Sequence, residues 1–383
     1  MKNIGVICEY NPFHNGHAKQ LRFLARHGAA VCLMSGNYVQ RGEPALTDKW
    51  TRARAAAECG ADLVLELPVT YALRSAEGFA DGGVEILSGL GCIDALCFGS
   101  ESGDGAAIMR TAELLLRPEF SARLREELDS GVSFPTARQR ALEKLSGAEG
   151  NALPLTAPND ILAVEYCKAL LRRSSAIEPL PLRREGCYHT GADPLNPSAA
   201  FLRTRTDWSG YMPEAAWEIF RAAPRYTVQA GERAWLARLR SMQAAEFEAL
   251  PFGSEGLWRK VLAACRSGSD IEEIVAAAKS KRYTRTRLMR LLLCAYLGIS
   301  REMLEAQAPY VRALAANARG RAILKRARES GSVTILNPGE TPPESAYAEL
   351  ERRAADLYGL FCEGSIGPCG AERSARFYTA SSE

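Results

Sequence analysis

The sequence predicts an α/β fold in which a parallel-stranded domain precedes a mainly helical one. Short apolar runs alternate with helical patterns over the first half of the chain, which is typical of a parallel sheet covered on both faces. The strand patterns stop after about residue 210, whereas helical patterns continue to 330. The length of 383 residues also suits two or three domains.

The first domain, residues 1–210, should contain five buried strands. We predict these strands at 3–8, 30–34, 62–68, 94–99 and 178–184. Helical patterns lie between them, at 17–27, 49–59, 75–89, 107–129, 136–147 and 159–173. The last of these helices begins at Asn159-Asp160, whose side-chain oxygens can cap free N–H groups. Ligands of such sheets bind beyond the carboxyl ends of the strands, where the winding direction switches.

The second domain, residues 211–362, is expected to be helical. Patterns rich in Ala, Leu, Arg and Glu fill 213–330, and a last helix is predicted at 343–358. The connecting segment 330–346 reads as a loop with room for one short strand. The tail, residues 363–383, is rich in Gly and Ser and is expected to be mobile.

The composition excludes several classes of protein. Hydrophobic residues make up 47% and charged residues 24%, as in an ordinary globular protein, which argues against disorder. No run of 18 apolar residues occurs, so no membrane span is expected. The first residues lack the pattern of a signal peptide, and a cytoplasmic protein is therefore expected. The net charge of +3 is too small to indicate a nucleic-acid binder by itself.

The eleven cysteines are expected to be structural. Those that lie within apolar runs should behave as small hydrophobic residues of the core: Cys8, Cys32, Cys97, Cys167 and Cys294. No C-x-x-C pair occurs, the number is odd, and the expected compartment is reducing. We therefore predict neither a disulfide framework nor a metal site.

The strongest functional signal is the loop EYNPFHNGH, residues 9–17, between the first strand and the first helix. Pro12 and Gly16 force a tight turn. His14 and His17 stand three residues apart at a helix N-terminus, where the helix dipole and free N–H groups attract phosphate. Two imidazoles there can donate hydrogen bonds to a pentavalent phosphorus and its leaving pyrophosphate. A polar turn with a capping histidine and a metal pair without an obvious third ligand remain alternatives.

This loop resembles the HxGH signature of the nucleotidyltransferase superfamily, which is shared with class I aminoacyl-tRNA synthetases. Together with MSGNYVQRGEPALTDKW at 34–50, it resembles one family closely, the tRNA(Met) cytidine acetate ligases. The similarity is nearly unbroken to residue 101, resumes at 157–170 and 180–191, and is weaker over the helical part, where 279–299 matches best. The resemblance implies a Rossmann-like nucleotidyltransferase domain followed by a tRNA-binding helical domain.

The family resemblance implies a two-step ATP-dependent ligation. Acetate would attack the α-phosphate of ATP to form acetyl-adenylate, and N4 of the wobble cytidine of elongator tRNA(Met) would then take the acetyl group. His14 and His17 would be catalytic, and Mg²⁺ would accompany ATP. The residues implied to bind ATP are Ile7, Cys8, Glu9, Tyr10, Asn11, Pro12, Phe13, His14, Asn15, Gly16, His17, Ala18, Lys19, Gln20, Gly99, Asn159, Arg183 and Arg184.

Some of these positions have simpler interpretations. Gly99, at the end of the fourth strand, suggests close approach to adenine or ribose, but it could be an ordinary turn glycine. Asn159 could be only a helix cap. Arg183 and Arg184 are adjacent on a strand and should therefore point to opposite faces. One of the two could then reach a triphosphate while the other makes a surface or domain contact.

A second group of polar residues follows the second strand, from Ser35-Gly36-Asn37 to Arg41-Gly42-Glu43-Pro44. Lys49 and Arg52 come next, at the start of a helix. This loop could hold the acyl group and steady phosphates, or it could be an ordinary surface loop. Many superfamily members also carry a Ser/Thr-rich motif that ends in Arg, whereas residues 196–203 offer only one hydroxyl here. The possible phosphate or acyl contacts are Ser35, Asn37, Lys49, Ser198 and Arg203.

Positive charge concentrates in one segment of the helical domain. Its cations are Lys279, Lys281, Arg282, Arg285, Arg287 and Arg290, and no acidic residue lies among them. Such a concentration is typical of a surface for phosphate backbone, and we predict tRNA binding there. A solvated basic helix face is the alternative.

Two other functions share part of this pattern. A small-molecule adenylyltransferase would use the same HNGH loop and ATP, but it would have no need of a large basic helical domain. An RNA-binding protein with a regulatory nucleotide site is the third possibility. Acetate-dependent exchange of pyrophosphate into ATP distinguishes these functions.

Overall fold

The computed structural model describes residues 1–147, 152, 155–184 and 193–380. Its centre is a mixed sheet in the order β10-β8-β5-β2-β1-β6-β7, with β9 paired to β8, beside a small β3–β4 hairpin. The strands of the described residues are β1 (Lys2–Cys8), β2 (Gly28–Ser35), β3 (Tyr38–Val39), β4 (Glu43–Pro44), β5 (Leu63–Leu67), β6 (Ala95–Ser100), β7 (Glu178–Arg183), β8 (Val311–Ala316), β9 (Ile335–Leu336) and β10 (Tyr378–Thr379).

Some helices cover the two faces of this sheet, and others form a separate bundle. Those up to residue 203 are α1 (Asn15–Ala25), α2 (Lys49–Glu58), α3 (Val69–Ala72), α4 (Ala76–Gly89), α5 (Gly105–Leu116), α6 (Pro118–Asp129), α7 (Phe134–Ser146), α8 (Pro158–Arg172) and α9 (Ala199–Arg203). Those that follow are α10 (Glu214–Arg221), α11 (Val228–Ser241), α12 (Ala244–Glu248), α13 (Leu257–Ser267), α14 (Ile271–Ala278), α15 (Arg285–Leu297), α16 (Arg301–Glu305), α17 (Ala318–Ser330), α18 (Ala346–Tyr358) and α19 (Ala371–Ser374).

The winding direction of the sheet switches between β1 and β6. The chain runs from β1 to β2 and β5 on one side and later returns to add β6 and β7 on the other. All of these pairings are parallel, as predicted. The predicted α/β class and the five predicted strands are confirmed. The carboxyl ends of β1 and β6 therefore flank the position where a ligand is expected.

The sheet contains two strands that the sequence did not predict. Val311–Ala316 (β8) lies in the stretch predicted to be helical, yet it is fully buried and runs antiparallel to β5. Its composition, VRALAA, favours a helix, and tertiary context overrides that propensity. Tyr378–Thr379 (β10) pairs with β8, and Ala371–Ser374 forms a short helix. Part of the tail, which the sequence predicted to be mobile, thus forms a short helix and a sheet strand.

The helical bundle has its own core, and it packs on the α/β part. Trp235 is fully buried in that core and donates its indole N–H to the carbonyl of Leu292 (2.9 Å). Tyr38 of the β3–β4 hairpin joins the same cluster and donates to the carbonyl of Ala354 (3.0 Å). The β3–β4 hairpin is thus anchored in the helical domain.

Helices of the described residues are too short or too polar to cross a lipid bilayer.

Candidate active site

The loop between β1 and α1 folds into a reciprocal helix cap built from its two histidines. The backbone N–H of Gly16 donates to Nδ1 of His14 (3.1 Å), and the backbone N–H of His14 donates to Nδ1 of His17 (3.3 Å). The two rings stack with centroids 3.7 Å apart. Because each Nδ1 accepts a hydrogen bond, a neutral ring carries its proton on Nε2. Each histidine can therefore offer one Nε2–H donor.

Both histidines are held in the neutral form. Burial and the positive charge of Arg184 lower the pKa of His14 to about 3. Burial, His14 and Arg184 lower the pKa of His17 well below its usual value. A bound polyphosphate would counter the charge of Arg184 and thereby raise both pKa values. The site is thus a pair of neutral donors beside a fixed cation.

A cavity of about 590 Å³ opens at this loop, over the switch point of the sheet. Among the described residues that line it, five side chains are cationic and only Glu9 is acidic. The five cations are Lys19, Arg41, Arg183, Arg184 and Arg203. Such an excess of positive charge in a partly enclosed space attracts polyanions. Part of the cavity wall is apolar and includes Phe79, Phe98, Ile161, Leu162 and Tyr166.

The cavity brings together most of the residues that the sequence indicated for ATP or phosphate. Those that line it are Ile7, Cys8, Glu9, Tyr10, Asn11, His14, Gly16, His17, Lys19, Gln20, Gly99, Asn159, Arg183, Arg184, Ser198 and Arg203. Arg183 and Arg184 both reach it, although adjacent strand residues were expected to diverge. Both lie at the end of β7, where the strand pleat no longer constrains them.

Four indicated residues of this loop and of the first turn of α1 do not line the cavity. Phe13 and Ala18 are buried in a hydrophobic cluster behind the loop, and Pro12 is buried as well. Asn15 points the other way, since its amide donates to the carbonyls of Pro194 (2.8 Å) and Gly210 (3.1 Å). These residues shape the turn from behind.

The end of β6 is tied to the start of α8. The carboxylate of Glu101 accepts hydrogen bonds from the side chain (2.6 Å) and backbone of Asn159 and from the backbone of Asp160 (2.9 Å). Asp160 in turn accepts hydrogen bonds from Ser100 and from the backbone beyond it. Glu101 therefore caps the helix, a role that the sequence had given to Asn159 and Asp160. The side-chain oxygen of Asn159 accepts from Arg184 (3.3 Å).

The loop after β2 is placed differently from expectation. Ser35, Asn37 and Lys49 do not line the cavity: Ser35 is fully buried, and Asn37 accepts a hydrogen bond from the backbone of Lys49 (3.0 Å). Arg52 is also fully buried and donates to backbone carbonyls of Glu9 (2.6 Å) and Ser35 (3.1 Å). It joins the loops after β1 and β2 to each other.

Lys49 lies at the centre of a buried charge cluster outside the cavity. Its ammonium group lies 2.6 Å from a carboxylate oxygen of Glu66 and 2.6 Å from one of Glu372 in the tail. Arg312 of β8 lies 3.4 Å from Glu372. Despite burial, these carboxylates raise the pKa of Lys49. Burial and Glu66 raise the pKa of Glu351, beside this cluster, to about 7.

The segment 196–203 does reach the cavity. Ser198 caps α9, since its hydroxyl accepts from the backbone of Phe201 (3.1 Å), and Arg203 lies at the other end of that helix. The guanidinium of Arg203 donates to the carbonyl of Asn11 (3.1 Å), just before the HNGH turn. Lys19 donates to the side chain of Asn196 (2.7 Å), which also lines the cavity.

The basic segment divides into exposed and engaged cations. Lys279, Lys281 and Arg282 are exposed, and Arg282 pairs with Glu255 (2.6 Å). The other three make contacts within the protein. Arg285 pairs with Glu43 and Glu272, Arg287 donates to the carbonyl of Phe252, and Arg290 is buried over the ring of Phe252.

Sequence reasoning missed the apolar wall and two residues of the β3–β4 hairpin, Gln40 and Arg41. Arg41 was noted within its loop without being assigned a contact. Phe98 and Tyr166 lie in segments already noted for their family resemblance, so a signal was present. In the described ranges, no group of three or more His, Cys, Asp or Glu side chains is arranged to hold a metal ion.

Comparison with known proteins supports a relationship over the whole chain. The family described as HIGH Nucleotidyl Transferase matches residues 1–368. A tRNA(Met) cytidine acetate ligase of Caldanaerobacter subterraneus subsp. tengcongensis is 36% identical, over 94% of this chain and 95% of the relative. One of Clostridium perfringens is 33% identical with the same coverage.

Two crystal structures of Thermotoga maritima TmcAL are similar in fold, each at 30% sequence identity. One is bound with alpha-thio ATP and superposes with a TM-score of 0.89 over 99% of this chain and 100% of that one. The other, an apo form, gives a TM-score of 0.91 over the full length of both chains.

Proposed function

The chain belongs to the HIGH nucleotidyl transferase family and, within it, to the tRNA(Met) cytidine acetate ligases, and we propose that it activates acetate with ATP and transfers the acetyl group to tRNA. As an ATP-dependent ligase, it must first turn a stable carboxylate into a reactive acyl donor. The proposed donor is acetyl-adenylate, and the proposed product is N4-acetylcytidine at the wobble position of elongator tRNA(Met).

One observation carries the proposal: two stacked, neutral histidines at a helix N-terminus, facing a cavity with five cations. In adenylation, a carboxylate oxygen of acetate attacks the α-phosphorus of ATP, and the bond to the bridging oxygen of pyrophosphate breaks. Negative charge grows on the phosphate oxygens in that transition state. Nε2–H donors of His14 and His17 can stabilise it there.

The cavity also suits the rest of ATP. The apolar wall beside Gly99 can take the adenine ring, and Lys19, Arg183 and Arg184 can neutralise phosphate charge. Mg²⁺ is expected to accompany the nucleotide as part of the substrate. No protein nucleophile is required, because acetate itself is the attacking group. An acyl intermediate can therefore form without a covalent bond to the protein.

In the second step, the N4 amine of cytidine attacks the acetyl carbon, AMP leaves with the bonding electron pair, and the nitrogen loses one proton to solvent. The cytidine must be unpaired to reach the cavity, which an anticodon loop allows. Lys279, Lys281 and Arg282 are the exposed cations of the basic segment and are the proposed RNA contacts. Arg285, Arg287 and Arg290 are weaker candidates, because contacts within the protein already engage them. ATP and tRNA are cytoplasmic substrates, so the reaction is expected in the cytoplasm.

A small-molecule adenylyltransferase is the alternative, since the same cavity would serve it. The two functions differ in what they require for turnover. The proposed ligase should exchange pyrophosphate into ATP only with acetate present and without any RNA. An adenylyltransferase that makes a cofactor should show no acetate dependence.

The experiment is therefore pyrophosphate exchange into ATP, with and without acetate, followed by transfer to tRNA. We expect acetate-dependent exchange in the absence of tRNA. Acetyl-coenzyme A should not replace ATP and acetate, because the site is built for nucleotide chemistry. Acetylated tRNA formed from acetyl-coenzyme A without ATP would contradict the mechanism.

A further inference from the structure

The tip of the β3–β4 hairpin forms part of the cavity wall. The turn contains three residues, Gln40, Arg41 and Gly42, of which Gln40 and Arg41 line the cavity. The turn is closed by the backbone N–H of Gly42, which donates to the carbonyl of Val39 (2.9 Å). On the cavity side, the backbone N–H of Gln40 donates to the carboxylate of Glu9 (2.8 Å). The hairpin thus contacts the HNGH loop directly.

The other side of the hairpin is held by α15 of the helical domain. Glu43 pairs with Arg285 at 2.7 Å. Gly42 has φ of +80° and lies against the backbone of Met289 and Arg290 so closely that a Cβ atom there would clash. A glycine satisfies both requirements, the positive φ and the close approach. The position of the tip therefore depends on a residue of the helical domain.

Arg41 carries an uncompensated charge into the cavity. Its side chain is exposed, and within the described part of the chain its guanidinium makes no hydrogen bond or ion pair. Arg203 lies close to Arg41. Burial lowers the pKa of Arg203 most, and the positive charge of Arg41 lowers that pKa further. Two guanidinium groups that face one space repel each other until an anion lies between them.

We infer that Arg41 binds the phosphates of ATP beyond the α-phosphate, which leave as pyrophosphate, and that Glu43 and Arg285 are positioning residues that hold Arg41 there. Arg184 lies near the histidines, whereas Arg41 lies near Arg203 in the same cavity. The inference rests on the proposed function only for the choice of ATP as the nucleotide. It also changes the role of Arg285, which the sequence indicated as an RNA contact.

The test measures the affinity of the full-length protein for ATP and for AMP by calorimetry, without acetate or tRNA. Arg41→Ala should weaken ATP binding about 10-fold or more, the scale of one charge-assisted hydrogen bond, and leave AMP binding unchanged. A site that is merely distorted would weaken both ligands. Arg41→Lys should recover part of the affinity.

The positioning role has its own variants. Glu43→Gln and Arg285→Ala should each weaken ATP binding by roughly 3- to 10-fold, again with AMP binding unchanged, and the double variant should be no weaker than either single one. Arg285→Lys should restore much of the affinity. Arg238→Ala is the matched control: it breaks another arginine–glutamate pair, with Glu246 at 2.9 Å, in which the arginine side chain has the same 39% exposure. Its ATP affinity should equal that of the unmodified protein.

Several results would overturn the inference. One is that Arg41→Ala leaves the ATP affinity unchanged, and another is that it weakens ATP and AMP binding equally. A third is that the losses of ATP affinity in Glu43→Gln and Arg285→Ala add up in the double variant. Weaker tRNA binding alone in Arg41→Ala would also overturn it and assign the hairpin to RNA. Absence of acetate-dependent exchange in the unmodified protein would instead contradict the proposed function, while the binding comparison would still decide the role of Arg41.

Discussion

The loops that follow β1 and β2 start from the same kind of sequence and end in opposite environments. Both come after buried, neighbouring parallel strands, and both carry polar residues that lead into a helix. The loop after β1 opens to the cavity with His14 and His17, whose charged forms are disfavoured. Beyond β2, Lys49 is buried and stays charged between Glu66 and Glu372. Proximity to a strand end therefore does not identify a binding residue, because the partners decide its role.

The largest expected effect is on the buried cluster. Lys49→Met keeps the stem of the side chain but removes the cation between two buried carboxylates, of which only Glu372 keeps an ion pair among the described residues, with Arg312. This change should cost about 3–5 kcal/mol of unfolding free energy. Lys2→Met is the control, because its pair with Glu178 is exposed (57% and 68%) and its removal should hardly change stability. Urea unfolding measures both. Unchanged stability together with weaker ATP binding would mean that Lys49 is a substrate contact instead.

The next effect concerns the cavity loop. His14→Ala and His17→Ala should each slow acetate-dependent pyrophosphate exchange by roughly 100-fold or more, the scale of one transition-state donor. Stability should change far less than in Lys49→Met. His27→Ala is the control, since that exposed histidine, in the described part of the chain, contacts only the carbonyl and ring of Phe23 through its side chain and does not line the cavity. If His14→Ala and His17→Ala both keep near-normal exchange, the loop after β1 is structural. It would then not differ in role from the loop after β2.

The contributions of the two regions to the free energy of unfolding should also change with pH in opposite directions. His14 is neutral in the folded state but protonates with a usual pKa near 6.5 when unfolded, so its contribution to stability is complete above pH 6.5 and declines as pH falls. At pH 5 this costs about 2 kcal/mol. Glu351 has a raised pKa of about 7, so its protonated form is favoured on folding and stability declines as pH rises from 4.5 to 7.

Variants separate these contributions. His14→Asn should gain about 2 kcal/mol at pH 5 relative to its effect at pH 8. Glu351→Gln should remove the opposite slope, while its amide oxygen can still accept the hydrogen bond of Tyr347. Unfolding free energies at several pH values provide the comparison. Identical slopes in all three proteins would show that neither group is perturbed by folding.

The smallest effect is expected at the basic segment. Replacing Lys281 and Arg282 with Ala should weaken tRNA binding and lower the slope of log affinity against log salt by about 0.7–0.9 for each phosphate that is no longer neutralised. The exchange reaction needs no RNA and should stay within about twofold. Filter binding over a salt series measures the slope. An unchanged slope would locate the RNA surface elsewhere on the protein.

The sequence was most informative where a function depends on neighbours along the chain. The HNGH turn, its helix and the alternation of strands are local, so spacing alone predicted the fold class and the position of the histidines. β8 was missed because its pairing partner, β5, lies about 250 residues earlier, and an Ala-rich run favours a helix in isolation. The helix and strand of the tail were missed for the same reason, since their contacts are with β8 and Lys49, far away in sequence.

Electrostatic roles were harder to predict than positions. Lys49 and the cations of 285–290 have the right residue type for phosphate, but the sequence does not show that carboxylates and carbonyls already engage most of them. Arg41 is the reverse case: only the structure shows that its charge faces the cavity. Charge alone therefore indicated an approximate region, and contacts distinguished a binding group from a structural one.

The most direct test of the central claim is mass spectrometry of the nucleosides of elongator tRNA(Met) after incubation with the protein, ATP and acetate. We predict N4-acetylcytidine at the wobble position, with one AMP and one pyrophosphate released per modification. Omitting ATP or acetate, or using His17→Ala, should abolish the product. Acetylation without ATP, or acetate-dependent exchange with no modified cytidine, would contradict the account.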